Sequence, residues 1–90
     1  MPSTGTDIIL AIDLGTSGPK VALVTPAGEV LGWERESLAS HFLPDGGVEQ
    51  DPEEWWRTIC QATRKLLARA LAPVESIVAL VVTAQWSGTV

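Results

Sequence analysis

The stretch "LAIDLGTSGPK", Leu10–Lys20, decides the fold. An apolar run ends on a carboxylate, and a small, hydroxyl-bearing loop follows at once. Burying a carboxylate without a partner is costly, so Asp13 belongs at an edge or on a ligand. Gly15 and Gly18 allow close backbone approach, while Thr16 and Ser17 offer hydroxyls and amide donors. Upstream, "IILAI" (residues 8–12) shows no polar alternation, the mark of a strand covered on both faces. Downstream, "KVALVT" (residues 20–25) is a second strand, so the loop closes a hairpin. No helix follows it and no G-x-x-x-x-G-K-[ST] is present, which excludes the glycine-rich loop of nucleotide-binding βα units. Such a hairpin can wrap donors around an oxyanion while Asp13 serves a metal. Phosphate bound through Mg²⁺ suits it, because Mg²⁺ takes one or two carboxylates with waters and phosphate oxygens. A hairpin loop with an incidental aspartate fits the pattern equally well.

Further along, "TPAG" (residues 25–28) has the residues of a tight turn, and "EVLGWERES" (residues 29–37) reads as a more charged strand nearer an edge. "SHFLPDGGVEQ" (residues 40–50) reads as a loop. A helix start follows: Asp51 as N-cap, Pro52 at the first position and Glu54 closing a capping box, with Glu53 and Glu54 complementing the dipole. Trp55, Ile59, Ala62, Leu66 and Ala70 recur at helical spacing, and Trp56, Cys60, Leu67 and Leu71 widen that stripe. Arg57, Gln61, Arg64, Lys65 and Arg69 form the wet side, and Pro73 stops the helix. "SIVALVVTA" (residues 76–84) is another unalternated run and reads as a second buried strand.

The order is β-β-β-α-β, an α/β unit whose helical crossover returns a strand parallel to the sheet, making the sheet mixed. One helix covers one face, yet two runs ask for cover on both. The expectation is therefore a loose tail over residues 1–6 and a partial domain over residues 7–90, the opening segment of something larger.

Bulk properties narrow the partners. The chain of 90 residues is 46% hydrophobic and 19% charged, with a net charge of −5. That acidity argues against nucleic acid or an anionic membrane. No targeting segment or apolar span is visible. The single Cys60 cannot pair internally, which favours a reducing, cytoplasmic setting. His41 stands in a polar loop without a neighbouring ligand type, so it is read as non-metal.

At the end of the last strand, "AQWSG" (residues 84–88) places Gln85, Trp86 and Ser87 where ligand contacts are common. Gln85 and Ser87 both donate and accept, and Trp86 could stack on a sugar ring or simply pack at a domain edge.

Taken together, "AIDLGTSGPKVALVTPAGEVL", "VEQDPEEWW" and "VTAQWSGTV" resemble the start of the FGGY-type carbohydrate kinases, xylulokinases above all. The resemblance runs from about Ile8 to Val90. It implies the ribonuclease-H-like fold of the sugar kinase and actin-like ATPase superfamily, with ATP and Mg²⁺ as cofactors. It implies in-line phosphoryl transfer to a hydroxyl of a sugar or polyol, a ketopentose above others. By the same resemblance Asp13 is catalytic and organises Mg²⁺ through water. Gly15, Thr16, Ser17 and Gly18 face the terminal phosphates, with Lys20 close by. Gln85, Trp86 and Ser87 bind the sugar. The catalytic base of the family lies beyond position 90, so this segment alone is expected to be inactive. Two departures stand out. Trp86-Ser87 replaces the Met-His usual in xylulokinases and the Arg-Glu of glycerol kinases, and Gly47 stands where a tryptophan often precedes "VEQDP".

Two other functions fit the same pattern: an ATPase-type switch of this superfamily, or a non-catalytic remnant that binds sugar or self-associates as a homodimer through its unfinished sheet. Sugar-kinase-like repressors add a basic DNA-binding segment ahead of the hairpin, and residues 1–7 carry none.

Overall fold

The computed structural model describes residues 7–84. Strand β1 (Ile8–Gly15) pairs antiparallel with β2 (Gly18–Val24), which pairs antiparallel with β3 (Val30–Arg35). Two short strands, β4 (His41–Phe42) and β5 (Val48–Glu49), precede helix α1 (Pro52–Ala68). A single 3-10 turn (Val74–Ser76) leads into β6 (Ile77–Ala84), which lies parallel to β1. The main sheet has the order β3-β2-β1-β6 and is mixed, as the sequence predicts.

The meander follows from its turns. Thr25 and Glu29 bracket the β2–β3 turn: Gly28 N–H donates to the Thr25 carbonyl at 2.9 Å, and Glu29 N–H donates to Thr25 Oγ1 at 3.1 Å. Gly28 takes φ +91°, which a side chain would resist. The expected loop over residues 40–50 differs in one respect. Its ends pair as β4 and β5, His41 with Glu49 and Phe42 with Val48, around a turn in which Asp45 Oδ1 accepts from Gly47 N–H at 2.8 Å.

Helix α1 starts where expected. Asp51 Oδ1 accepts from Glu53 N–H at 2.9 Å, and Pro52 opens the helix. Glu54, expected to close a capping box, places its carboxylate 3.9 Å from His41 Nε2. The buried face is Thr58, Ala62 and Leu66, and α1 lies over β2 and β3. Thr58 is buried without penalty, because its hydroxyl donates to the carbonyls of Glu54 and Trp55. Ile8, Leu10, Ile12, Val21 and Leu23 complete the core from the sheet.

Several expectations on α1 are corrected. Trp56 is 68% exposed and does not join the stripe. The helix ends at Ala68, and Ala70 lies outside it at φ +53°, a left-handed conformation usually left to glycine. Lys65 and Arg69 are more than solvated charges. Lys65 Nζ lies 2.6 Å from Glu36 Oε1, and Arg69 Nη1 donates to Glu34 Oε2 at 2.9 Å and to the Trp33 carbonyl at 3.0 Å. Donating a hydrogen bond to Glu36 raises the Lys65 pKa above its ordinary 10.5. That contact favours the folded state below this pH and is lost as the lysine deprotonates at higher pH.

The largest correction concerns β6. The run read as buried on both faces is open: Val78, Leu80 and Val82 are 61%, 58% and 53% exposed. Helix α1 lies over β2 and β3, and on the face these side chains share with Leu10 and Ile12 nothing among the described residues covers β6.

Ala70 gives a stability test. Ala70→Gly removes the left-handed strain at the helix C-terminus and should stabilise the fold by about 0.5–1 kcal/mol in denaturant melts. An unchanged or lowered midpoint would contradict this account of the helix end.

Candidate phosphate hairpin

The hairpin is tighter than the sequence suggests. β1 and β2 stay paired through Asp13 with Lys20 and Gly15 with Gly18, leaving only Thr16 and Ser17 as the turn. Asp13 thus lies inside the ladder rather than past its end. Side chains alternate along each strand, and cross-strand partners share a face. Since Ile12, Val21 and Leu23 fill the core, Asp13 and Lys20 stand on the opposite, helix-free face. Arg35, the β3 partner of Lys20, belongs to that face too, as does Thr83, the β6 partner of Asp13.

These neighbours fix the charges. Thr83 Oγ1 donates to Asp13 Oδ1 at 3.1 Å, and Lys20 Nζ stands 4.9 Å from the Trp33 ring centroid. The face therefore presents one exposed carboxylate steadied by a hydroxyl, beside two cations. That balance suits an anion accompanied by a metal ion. Among the described residues no three His, Cys, Asp or Glu side chains gather, so the site offers no protein cage for a metal. Asp13 as a donor fits Mg²⁺ shared with phosphate oxygens.

The tip is braced from behind. Glu36 N–H donates to the Pro19 carbonyl at 3.1 Å, and Leu38 N–H donates to the Ser17 carbonyl at 3.0 Å. Gln50 Nε2 donates to the Thr16 carbonyl at 2.7 Å and to Ser40 Oγ at 3.2 Å. Gly18, at φ +135°, lies so close to this brace that a Cβ would run into the Glu36 carbonyl. Its need for glycine is met by the protein's own backbone. At Gly15 a Cβ would make only ordinary contact, 3.6 Å from the Gly18 carbonyl oxygen.

Thus Asp13 and Lys20 share one face, with Thr16 and Ser17 at the exposed end of the same hairpin. Gln85, Trp86 and Ser87, and the expected tail at residues 1–6, lie outside the described residues. Sequence reading missed Thr83, Arg35 and Gln50. A lone threonine in the apolar run "IVALVVTA" was the available signal for Thr83; Arg35 and Gln50 had no local one. Among the described residues no helix is long and apolar enough to cross a membrane.

Gly15→Ala should leave the melting midpoint essentially unchanged. Gly18→Ala should destabilise the fold by about 2 kcal/mol or more, through both the forbidden φ and the clash with Glu36. Equal effects from the two substitutions would contradict the bracing described above.

Comparison with known proteins agrees with this fold. The N-terminal domain model of the FGGY family of carbohydrate kinases matches residues 8–90. A glycerol kinase of Rhodospirillum centenum is 38% identical over 77 residues, covering 86% of this chain and 16% of its own. One from Rippkaea orientalis is 32% identical over 85 residues, covering 94% and 17%. Among solved structures, a xyloylose kinase from Brucella ovis superposes with a TM-score of 0.80 at 29% identity, covering 87% of this chain and 16% of that one. Plasmodium falciparum glycerol kinase with ADP gives a TM-score of 0.73 at 17% identity, covering 94% and 17%, a likeness of fold. The chain spans about a sixth of the length of these relatives. With its mixed sheet, its hairpin and a family match over nearly its whole length, the chain belongs to the FGGY family of carbohydrate kinases.

Proposed function

We propose that the polypeptide carrying this segment transfers the terminal phosphate of ATP to a hydroxyl of a sugar or polyol, and that the β1–β2 hairpin receives the phosphates. The observation that carries the reading is the pairing of Asp13 with Lys20 on the helix-free face, at the base of a two-residue turn. Lys20 offsets phosphate charge from the strand beside Asp13. Thr16 and Ser17 offer hydroxyl and amide donors at the tip. Asp13, steadied by Thr83, would hold Mg²⁺ through water, and bound Mg²⁺ would offset charge on the transferring phosphoryl group. Positioning and charge neutralisation are the main needs of such a reaction, and this segment supplies both.

The segment is the first part of a larger domain on this reading. The bare surface of β6 supports it, as does the small share of each relative that the chain spans. The remaining chain would cover β6 and bring the catalytic base, and Gln85, Trp86 and Ser87 would meet the acceptor. A ketopentose and glycerol are the acceptors to compare first, since both kinds of kinase occur among the relatives. A cytoplasmic location agrees with this chemistry.

The test is a coupled ADP-release assay on the longest polypeptide the gene encodes, across ketopentoses, pentitols, glycerol and hexoses. One acceptor should drive turnover, and Asp13→Ala should lower it by about a hundredfold or more. Nucleotide binding with no acceptor-dependent turnover would overturn the kinase reading in favour of a switch. Assembly that depends on protein concentration and ignores nucleotide would favour the remnant.

A further inference from the structure

Thr16 and Ser17 are the central residues of the turn, with Gly15 and Gly18 paired at its base. In so short a turn the central peptide unit, from the Thr16 carbonyl to the Ser17 amide, lies outside the ladder. The hairpin's own bonds therefore do not settle which way it points. Steric preference helps, because neither residue takes positive φ and a flip would drive Ser17 there.

An external contact adds to that preference. Gln50 reaches across 34 positions of sequence to donate Nε2 to the Thr16 carbonyl at 2.7 Å. The same nitrogen donates to Ser40 Oγ at 3.2 Å, so the amide is held at two points. The described chain has no cis peptide, and in a planar trans unit the N–H points opposite to the C=O. With the Thr16 carbonyl drawn toward Gln50, the Ser17 N–H is aimed away from it. The next carbonyl, that of Ser17, is engaged by Leu38 N–H at 3.0 Å. Both oxygens of the tip are thus turned to the protein's own donors. This matters where an anion arrives, since a carbonyl facing phosphate repels it and an amide attracts it.

We propose that Gln50 is a positioning residue for the phosphate site: it fixes the Thr16–Ser17 peptide plane so that the Ser17 amide faces the nucleotide phosphates. The proposal rests on the hairpin's being the phosphate site. Gln50 itself touches no reacting atom. Its effect should appear in nucleotide binding and leave acceptor binding alone.

The experiment uses the longest polypeptide the gene encodes, in wild-type, Gln50→Ala and Gln50→His forms. Readouts are ADP release against MgATP and against the acceptor, MgADP titration by calorimetry, and thermal melting. Gln50→Ala should raise KM for MgATP and weaken MgADP binding by about tenfold, the scale of one lost hydrogen bond, with the acceptor KM held. Gln50→His, which keeps a nitrogen donor at similar reach, should restore most of the loss. Wild-type turnover with MgADP binding unchanged in Gln50→Ala overturns the proposal alone. A joint rise of both KM values with a lowered melting midpoint overturns it as well, since Gln50 would then be structural only. If the wild type neither binds MgADP nor turns over, the phosphate reading falls and takes this proposal with it.

Discussion

Asp13 and Lys20 face one another across the β1–β2 ladder because the turn between those strands is two residues long. A slip of β1 by one residue would move Asp13 to the face under α1, burying a carboxylate beside Val21 and Leu23 at heavy cost. The same slip would lift Leu10 and Ile12 into water. Core packing and site geometry are therefore one constraint, each enforcing the register that the other needs.

From that register the rest of the architecture follows. β6 lies parallel to β1 and brings Thr83 beside Asp13, while β3 brings Trp33 and Arg35 beside Lys20. α1 closes the opposite face and is tied to the β3 end by Lys65 with Glu36 and Arg69 with Glu34. These partly exposed pairs contribute modestly to stability; they fix where the helix lies. The chain between β3 and α1 passes behind the hairpin tip and braces it with Glu36, Leu38 and Gln50. Two of the three motifs that mark the family thus meet at one place: the "VEQDP" segment supports the hairpin from behind.

Local patterns carried much of this. The meander, its Pro-Gly turn, the Asp51-Pro52 helix start and the mixed sheet were all legible, because each depends on residues close in sequence. What was not legible depends on distance or on what the run packs against. "IVALVVTA" reads the same whether or not anything covers it, so its exposure could not be foreseen. Ala70 looked like one more helical residue until the chain turned there. Gln50 seemed an ordinary loop residue because its partner is far away in sequence, and Thr83 was hidden within an apolar run. Gly18 was read as room for a ligand, yet its contact is with the Glu36 carbonyl of the protein itself.

The central claim is that the helix-free face at the hairpin tip is where nucleotide phosphate binds. A crystal structure of the longest encoded polypeptide with MgADP tests it most directly. The account predicts the terminal phosphate within hydrogen-bonding distance of the Ser17 amide, on the face that carries Asp13 and Lys20. Phosphates bound elsewhere, with the Thr16–Ser17 turn facing solvent, would contradict it.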